Sequence, residues 1–198
     1  AVKVPRAAFE ERTGLSTVAE PVIVDVGPGG DIYGRALVRL VGNAVRLESS
    51  VPADEETVLD LVAVIAGEGR VSLATAHRAA AKAYIEERLG DAGLSASEIA
   101  VGAGISERHL SRLFAEAGSS VPRHILGRRL DLAYALLAEG EDPTLRTVDV
   151  AARCGFTSAS YFSQAFRKRF GVPAGDVRRA ALSPQGFPQS GDLCGAHA

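Results

Sequence analysis

Arg108, Ser111 and Arg112 in the stretch SERHLSRLF (106–114), and Ser160, Ser163 and Gln164 in TSASYFSQAF (157–166), place hydrogen-bonding side chains at the spacing of one helix face. Such a set suits base edges: Arg donates two bonds to guanine, Gln pairs bidentately with adenine, and Ser reaches either a base or a phosphate. Ser106 and His109 beside the first set, and Ser158, Arg167 and Lys168 beside the second, suit phosphate contacts that fix register without reading sequence; Arg123, between the sets, is a phosphate candidate with a solvated surface as the alternative. Arg128 and Arg129 are further phosphate candidates, with a solvated surface as the alternative. No comparable set exists for catalysis. His77, His109, His124 and His197 are scattered, and no Ser–His–Asp, paired-carboxylate or His-x-x-x-His arrangement emerges, so an enzyme is not expected.

These two stretches must be held by similar elements, because they are copies. Ala100, Gly104 and Ile105 precede the first, and Ala151, Gly155 and Phe156 precede the second; the offset is 51 residues at the turn (Gly104 to Gly155) and 52 beyond it (Leu110 to Phe162). Ser95 with Glu98 forms a capping box that starts a short helix, Ala100 lets a second helix cross closely, Gly104 turns the chain, and Ser106 caps the next helix. At about 100° per residue, Leu110, Leu113, Phe114 and Ala117 face inward, opposite Arg108, Ser111, Arg112 and Ala115. In the second copy Phe162, Ala165 and Phe166 face inward, and Ser160, Ser163, Gln164 and Arg167 outward. Each copy reads as a helix-turn-helix. Between them, Leu126, Leu130, Ala133 and Leu137, widened by Ile125, Leu132 and Leu136, predict a helix over 121–139 that is buried on more than one side. Its length of ~28 Å, against ~34 Å between groove segments one turn apart, suits a linker holding two reading heads in fixed phase.

With LSASEIAVGAGISERHLSRLF, RRLDLAYALLAEG and VAARCGFTSASYFSQAFRKRFGVP in place, residues 85–179 resemble the DNA-binding domain of the AraC/XylS family of bacterial transcription regulators. The resemblance implies a seven-helix, two-lobed domain whose third and sixth helices, about 106–117 and 158–170, enter successive major-groove segments. It also implies a sequence-specific regulator, more often an activator, with Arg108, Ser111 and Arg112 reading bases from one lobe and Ser160, Ser163 and Gln164 from the other. Three positions depart from the family. Gln164 stands where members usually carry Arg, Thr147 where Ile or Val is preferred, and Val177 where an aromatic is usual; Val148, Val150, Phe156, Phe162 and Phe166 are expected to supply the second core all the same. The first lobe is therefore expected to supply most base discrimination, and the second phosphate anchoring with a weaker readout. The alternative is a helical protein-interaction module that docks a partner such as RNA polymerase without specific readout.

Charge supports the placement. Residues 1–72 hold seven basic and eleven acidic side chains, a balance of −4, whereas residues 106–180 hold twelve and eight, a balance of +4, so the positive end carries the repeat. No apolar run approaches the ~20 residues of a membrane span and no signal-peptide pattern opens the chain, which predicts a cytoplasmic protein. Cys154 and Cys194 make no metal-ligand spacing; Cys154 reads as a small buried thiol, with a redox switch as the alternative.

The expected architecture is mostly α. Residues 1–72 would be the end of an N-terminal effector-binding or dimerisation domain with its linker at 67–72, residues 73–180 the double helix-turn-helix, and residues 181–198 a disordered tail. In the N-terminal part a short amphipathic stretch contains Ala7, Ala8 and Phe9; PVIVDV (21–26) suggests a strand, GPGGDIYG a turn, and helices are expected over 31–48 and 54–66, the latter with Val58, Leu61, Val62 and Ile65 on one face. GPGGDIYG lacks the third glycine of a dinucleotide loop, and no lysine supports a phosphate loop, so no cofactor is implied. The chain has no Met, and about seventy residues are too few for both a ligand-holding barrel and a linker. A longer protein carrying a small-molecule effector site and a homodimer interface in its N-terminal region is therefore expected.

Overall fold

The computed structural model describes residues 5–13, 23–27, 30–46, 55–66, 72–139 and 144–182. Among them the chain forms ten helices and no strand: α1 (Arg6–Thr13), α2 (Ile32–Arg46), α3 (Glu55–Ile65), α4 (Leu73–Glu87), α5 (Ala96–Gly102), α6 (Glu107–Glu116), α7 (Val121–Glu139), α8 (Thr147–Arg153), α9 (Ala159–Phe170) and α10 (Ala174–Ala181). The 67–71 part of the linker, the 183–198 part of the tail, Cys194 and His197 lie outside the described residues.

Helix α4 is the scaffold of the first half. Ser72 caps it, its hydroxyl accepting the Thr75 N–H at 3.1 Å. Ala76, Ala79, Ala80, Ala81 and Ala83 are all buried, and side chains this small let other helices approach on several sides: α2 and α3 from one direction, α5 and α6 from another. Polar ties fix α2 in place. Arg39 pairs with Glu87 at 3.1 Å and stands 5.3 Å above the Tyr84 ring, and the Asn43 amide donates to the Glu86 carbonyl at 2.8 Å.

The second half is held by rings instead of alanines. Phe156, Phe162, Phe166, Phe170 and Tyr134 form a continuous aromatic chain with successive centroids 4.7–5.5 Å apart. Helix α7 joins the halves with Val121, Ile125, Leu130, Leu132, Ala133 and Leu137 buried. Charge then locks it in angle. Arg128 forks onto the Glu86 carboxylate at 2.6 and 3.2 Å, Arg129 donates to the carbonyls of Leu89 and Asp91 at 2.9 and 2.6 Å, and Asp131 accepts from Arg169 of α9 at 2.7 Å. Gly155 lies against this lock. Its φ is +77°, and a Cβ there would stand 2.9 Å from both the Arg129 guanidinium carbon and the Leu89 carbonyl oxygen.

Four expectations from the sequence change here. Residues 23–26, the described part of the expected strand, are not a strand: Ile23 is 95% exposed, and no extended segment among the described residues offers it a ladder. Asp25 spends its polar groups locally instead, its carboxylate accepting from Gly27 N–H at 2.8 Å and its carbonyl from Asp31 N–H at 2.7 Å, which makes the expected turn. On α3 the buried positions are Thr57, Asp60, Leu61 and Ala63, with Val58, Val62 and Ile65 half-buried, because α1, α2 and α4 all pack on this helix and no single stripe suffices. Val148 is 47% exposed and not core, since it lies about 200° around α8 from the buried Val150. Ala117 is exposed because it caps the end of α6 and does not extend its inner face.

Burial grades the lock. The Glu86 side chain is only 13% exposed, so Arg128→Ala, which strands it, is expected to cost about 2 kcal/mol. Arg169→Ala, on a pair exposed at 43% and 28%, is expected to cost under about 1 kcal/mol in denaturant unfolding. Equal losses would show that burial does not set the strength of this network.

Candidate nucleic-acid interface

The two copies make the same turn, bond for bond. Ile105 N–H donates to the Ala100 carbonyl at 2.9 Å and Gly104 N–H to that of Val101 at 3.1 Å; in the second copy Phe156 donates to Ala151 and Gly155 to Ala152, both at 3.0 Å. This pair of bonds ends a helix on a left-handed residue, and Gly104 and Gly155 supply it with φ of +68° and +77°. The first copy opens with the expected capping box: Ser95 accepts from Glu98 N–H at 3.2 Å while the Glu98 carboxylate accepts from Ser95 N–H at 3.0 Å. In the second, Asp149 accepts from Arg146 N–H at 3.1 Å and pairs with its guanidinium at 2.9 Å, which holds the Asp149 carboxyl below its ordinary range.

From each turn one helix projects. Ser106 accepts from His109 N–H at 3.2 Å and starts α6; Ser158 accepts from Tyr161 N–H at 3.3 Å and starts α9. Both serines spend a lone pair as caps and keep the O–H to donate. Leu110, Leu113 and Phe114 hold α6 to the core while Arg108, Ser111 and Arg112 are exposed; Phe162 and Phe166 hold α9, with Ala165 half-buried and Ser160, Ser163, Gln164, Arg167 and Lys168 exposed. Ser163 is already engaged, donating to the Ala159 carbonyl one turn back at 2.9 Å.

Each projecting helix borders a concave surface. Ser106, Arg108, His109 and Arg112 line one of about 440 Å³. The other, of about 660 Å³, opens between α7 and α9, where Arg123, Gln164 and Lys168 meet Tyr161 and Leu126. Arg123 of the linker helix is thus brought to the second copy. Tyr161, 53% exposed on this wall, is a site residue that residue type alone did not single out, although its spacing of three and seven residues from Gln164 and Lys168 puts all three on one face.

Two roles expected from the sequence change once side chains are placed, and Cys154 keeps its reading as a buried thiol. Arg128 and Arg129 point into the first lobe, where the acid of Glu86 and the end carbonyls after α4 are better partners than a distant phosphate. His109 is half-buried, its Nδ1 is 2.9 Å from Arg112 Nη2 and its Nε2 is buried, so the ring faces the protein and not a phosphate. Cys154 is fully buried, and burial pushes its thiol up to about 12, which leaves no thiolate for redox chemistry near neutral pH. Among the described residues no cluster of His, Cys, Asp and Glu could hold a metal ion, and no helix is long and apolar enough to cross a membrane.

Comparison with known proteins agrees with the geometry. Residues 86–180 match a family described as a helix-turn-helix domain. The chain is similar to the transcriptional activator RhrA of Rhizobium meliloti, 38% identical over 63% of this chain and 40% of that one, and to the transcriptional activator NphR of a Rhodococcus species, 30% identical over 78% and 47%. It therefore spans about half the length of these relatives. A solved transcriptional regulator with an AraC-type DNA-binding domain, from Chromobacterium violaceum, aligns over 55% of this chain and 95% of its own at 28% identity and a TM-score of 0.49. Residues 86–180 are thus similar to a helix-turn-helix domain family, and the chain to proteins named as transcriptional activators.

Proposed function

We propose that this chain is the DNA-reading part of a transcriptional activator, inserting α6 and α9 into successive major-groove segments. The observation that carries this reading is the pair of bond-for-bond equivalent turns, each aiming a helix with a buried apolar face and an exposed polar face. Arg108, Ser111 and Arg112 would read bases from the first lobe, and Ser160, Ser163 and Gln164 from the second, Ser163 after releasing the Ala159 carbonyl. Ser106, Ser158, Arg123, Arg167 and Lys168 would hold phosphates, the last three around the α7–α9 groove. Tyr161 adds an aromatic wall there. The names of RhrA and NphR support the sign of regulation. In the longer protein, residues 1–72 would end an effector-binding and dimerising domain and residues 73–180 form the reader. Such a regulator works without catalysis, in the cytoplasm, through contact with RNA polymerase.

The test is selection of binding sites from random duplex DNA by the 198-residue chain. Two preferred blocks about 10 base pairs apart, bound with strong salt dependence, are expected. Binding without sequence preference would leave only the interaction-module alternative. On the selected site, Arg112→Ala is expected to cost ~1–3 kcal/mol and to relax one base position; an equal loss on every sequence would make Arg112 a phosphate contact. Lys168→Ala is expected to weaken all sequences alike and to lower the salt slope by about one unit. An unchanged slope removes Lys168 from the interface.

A further inference from the structure

Arg112 is held from behind. Its Nη2 lies 2.9 Å from Nδ1 of His109, one turn earlier on α6, and a guanidinium only donates, so Nδ1 accepts and the ring proton belongs on Nε2. That Nε2 is buried and has no hydrogen-bond partner among the described residues. The His109 ring meets the His77 ring of α4 edge-to-face, with centroids 5.4 Å apart and planes at 88°. His77 is itself backed by Tyr33 of α2, with centroids 6.2 Å apart. Burial, and secondly the neighbouring His109, lower the His77 pKa and favour a neutral ring.

We propose that His109 is a positioning residue for Arg112, and that His77, backed by Tyr33, fixes the ring from which it acts. This rests on Arg112 being a base reader. A long arginine side chain left loose loses rotamer freedom on binding; one already tethered at Nη2 loses less. The tether also has a competitor. Glu116, one turn further along, stands 3.7 Å from Arg112 Nε and would draw the guanidinium along the helix if His109 let go. Three rings from α2, α4 and α6 thus make the N-terminal helices part of the first reading head.

The experiment takes the site selected from random duplex DNA and measures discrimination at the base pair whose preference Arg112→Ala abolishes. His109→Phe, which keeps the bulk and removes the acceptor, is expected to lose about 3- to 10-fold of that discrimination, at that base pair alone and with the salt slope unchanged. His109→Gln, whose amide oxygen can accept, is expected to recover most of the loss, and Arg112→Ala combined with His109→Phe to show no further loss. Parent-level discrimination in His109→Phe, while Arg112→Ala loses it, overturns the positioning role alone. Weakening spread over all base pairs, with no rescue by Gln, assigns His109 a structural role instead. An Arg112→Ala variant with unaltered base preference removes the base-reading role and the positioning role together. Should His109→Phe fail to fold, nitrogen NMR of the parent decides: the Nε2–H tautomer at His109 is expected, and the Nδ1–H tautomer overturns the proposal.

Discussion

The alternating charges Glu86, Arg128, Asp131 and Arg169 run from α4 through α7 to α9, and the angle between the two lobes depends on them. Hydrophobic burial is non-directional, and a helix greasy on several sides, as α7 is, could settle at many rotations about its axis. Bidentate guanidinium–carboxylate contacts are directional, so they choose one rotation. Arg129 adds a second fork onto the carbonyls of Leu89 and Asp91, tying α7 to the backbone beyond the end of α4. Together they hold the two projecting helices, α6 and α9, in one fixed arrangement.

The lobes reach the same local geometry by different packing. Alanines around α4 suit a crowded crossing of many helices, whereas the rings from Phe156 to Phe170 suit a smaller lobe with fewer helices to fill its core. What the lobes share is hydrogen bonding at the turn and a serine cap, and those two features alone aim a short helix. The outer faces differ in chemistry all the same: two arginines in one copy, Ser160 and Gln164 in the other.

Most of this was legible in the residues. The repeat, the Ser95 and Ser106 caps, the two turning glycines and the 121–139 helix depend on local chemistry and periodicity, which a sequence displays directly. Where long-range partners decide the outcome, the sequence was silent. Arg128 and Arg129 look like any exposed arginines until Glu86 and the Leu89 carbonyl arrive from forty residues away, and His109 looks like a surface residue until α4 brings His77 beside it. The strand at 21–26 failed for a related reason: β-branched composition states a preference, but a strand also needs a neighbour.

Gly155 has a consequence beyond its own turn. Because Arg129 and the Leu89 carbonyl fill the space where its side chain would be, the second lobe leans directly on the first, and the lobes cannot swivel about α7 without breaking charged hydrogen bonds. A duplex whose groove spacing differs from that of the protein must then take up part of the mismatch itself, and smooth bending of a 20–30 base-pair site costs roughly 1–6 kcal/mol depending on sequence. In the proposed complex, stiffness at a glycine would thereby become a preference for pliable base steps that no side chain touches.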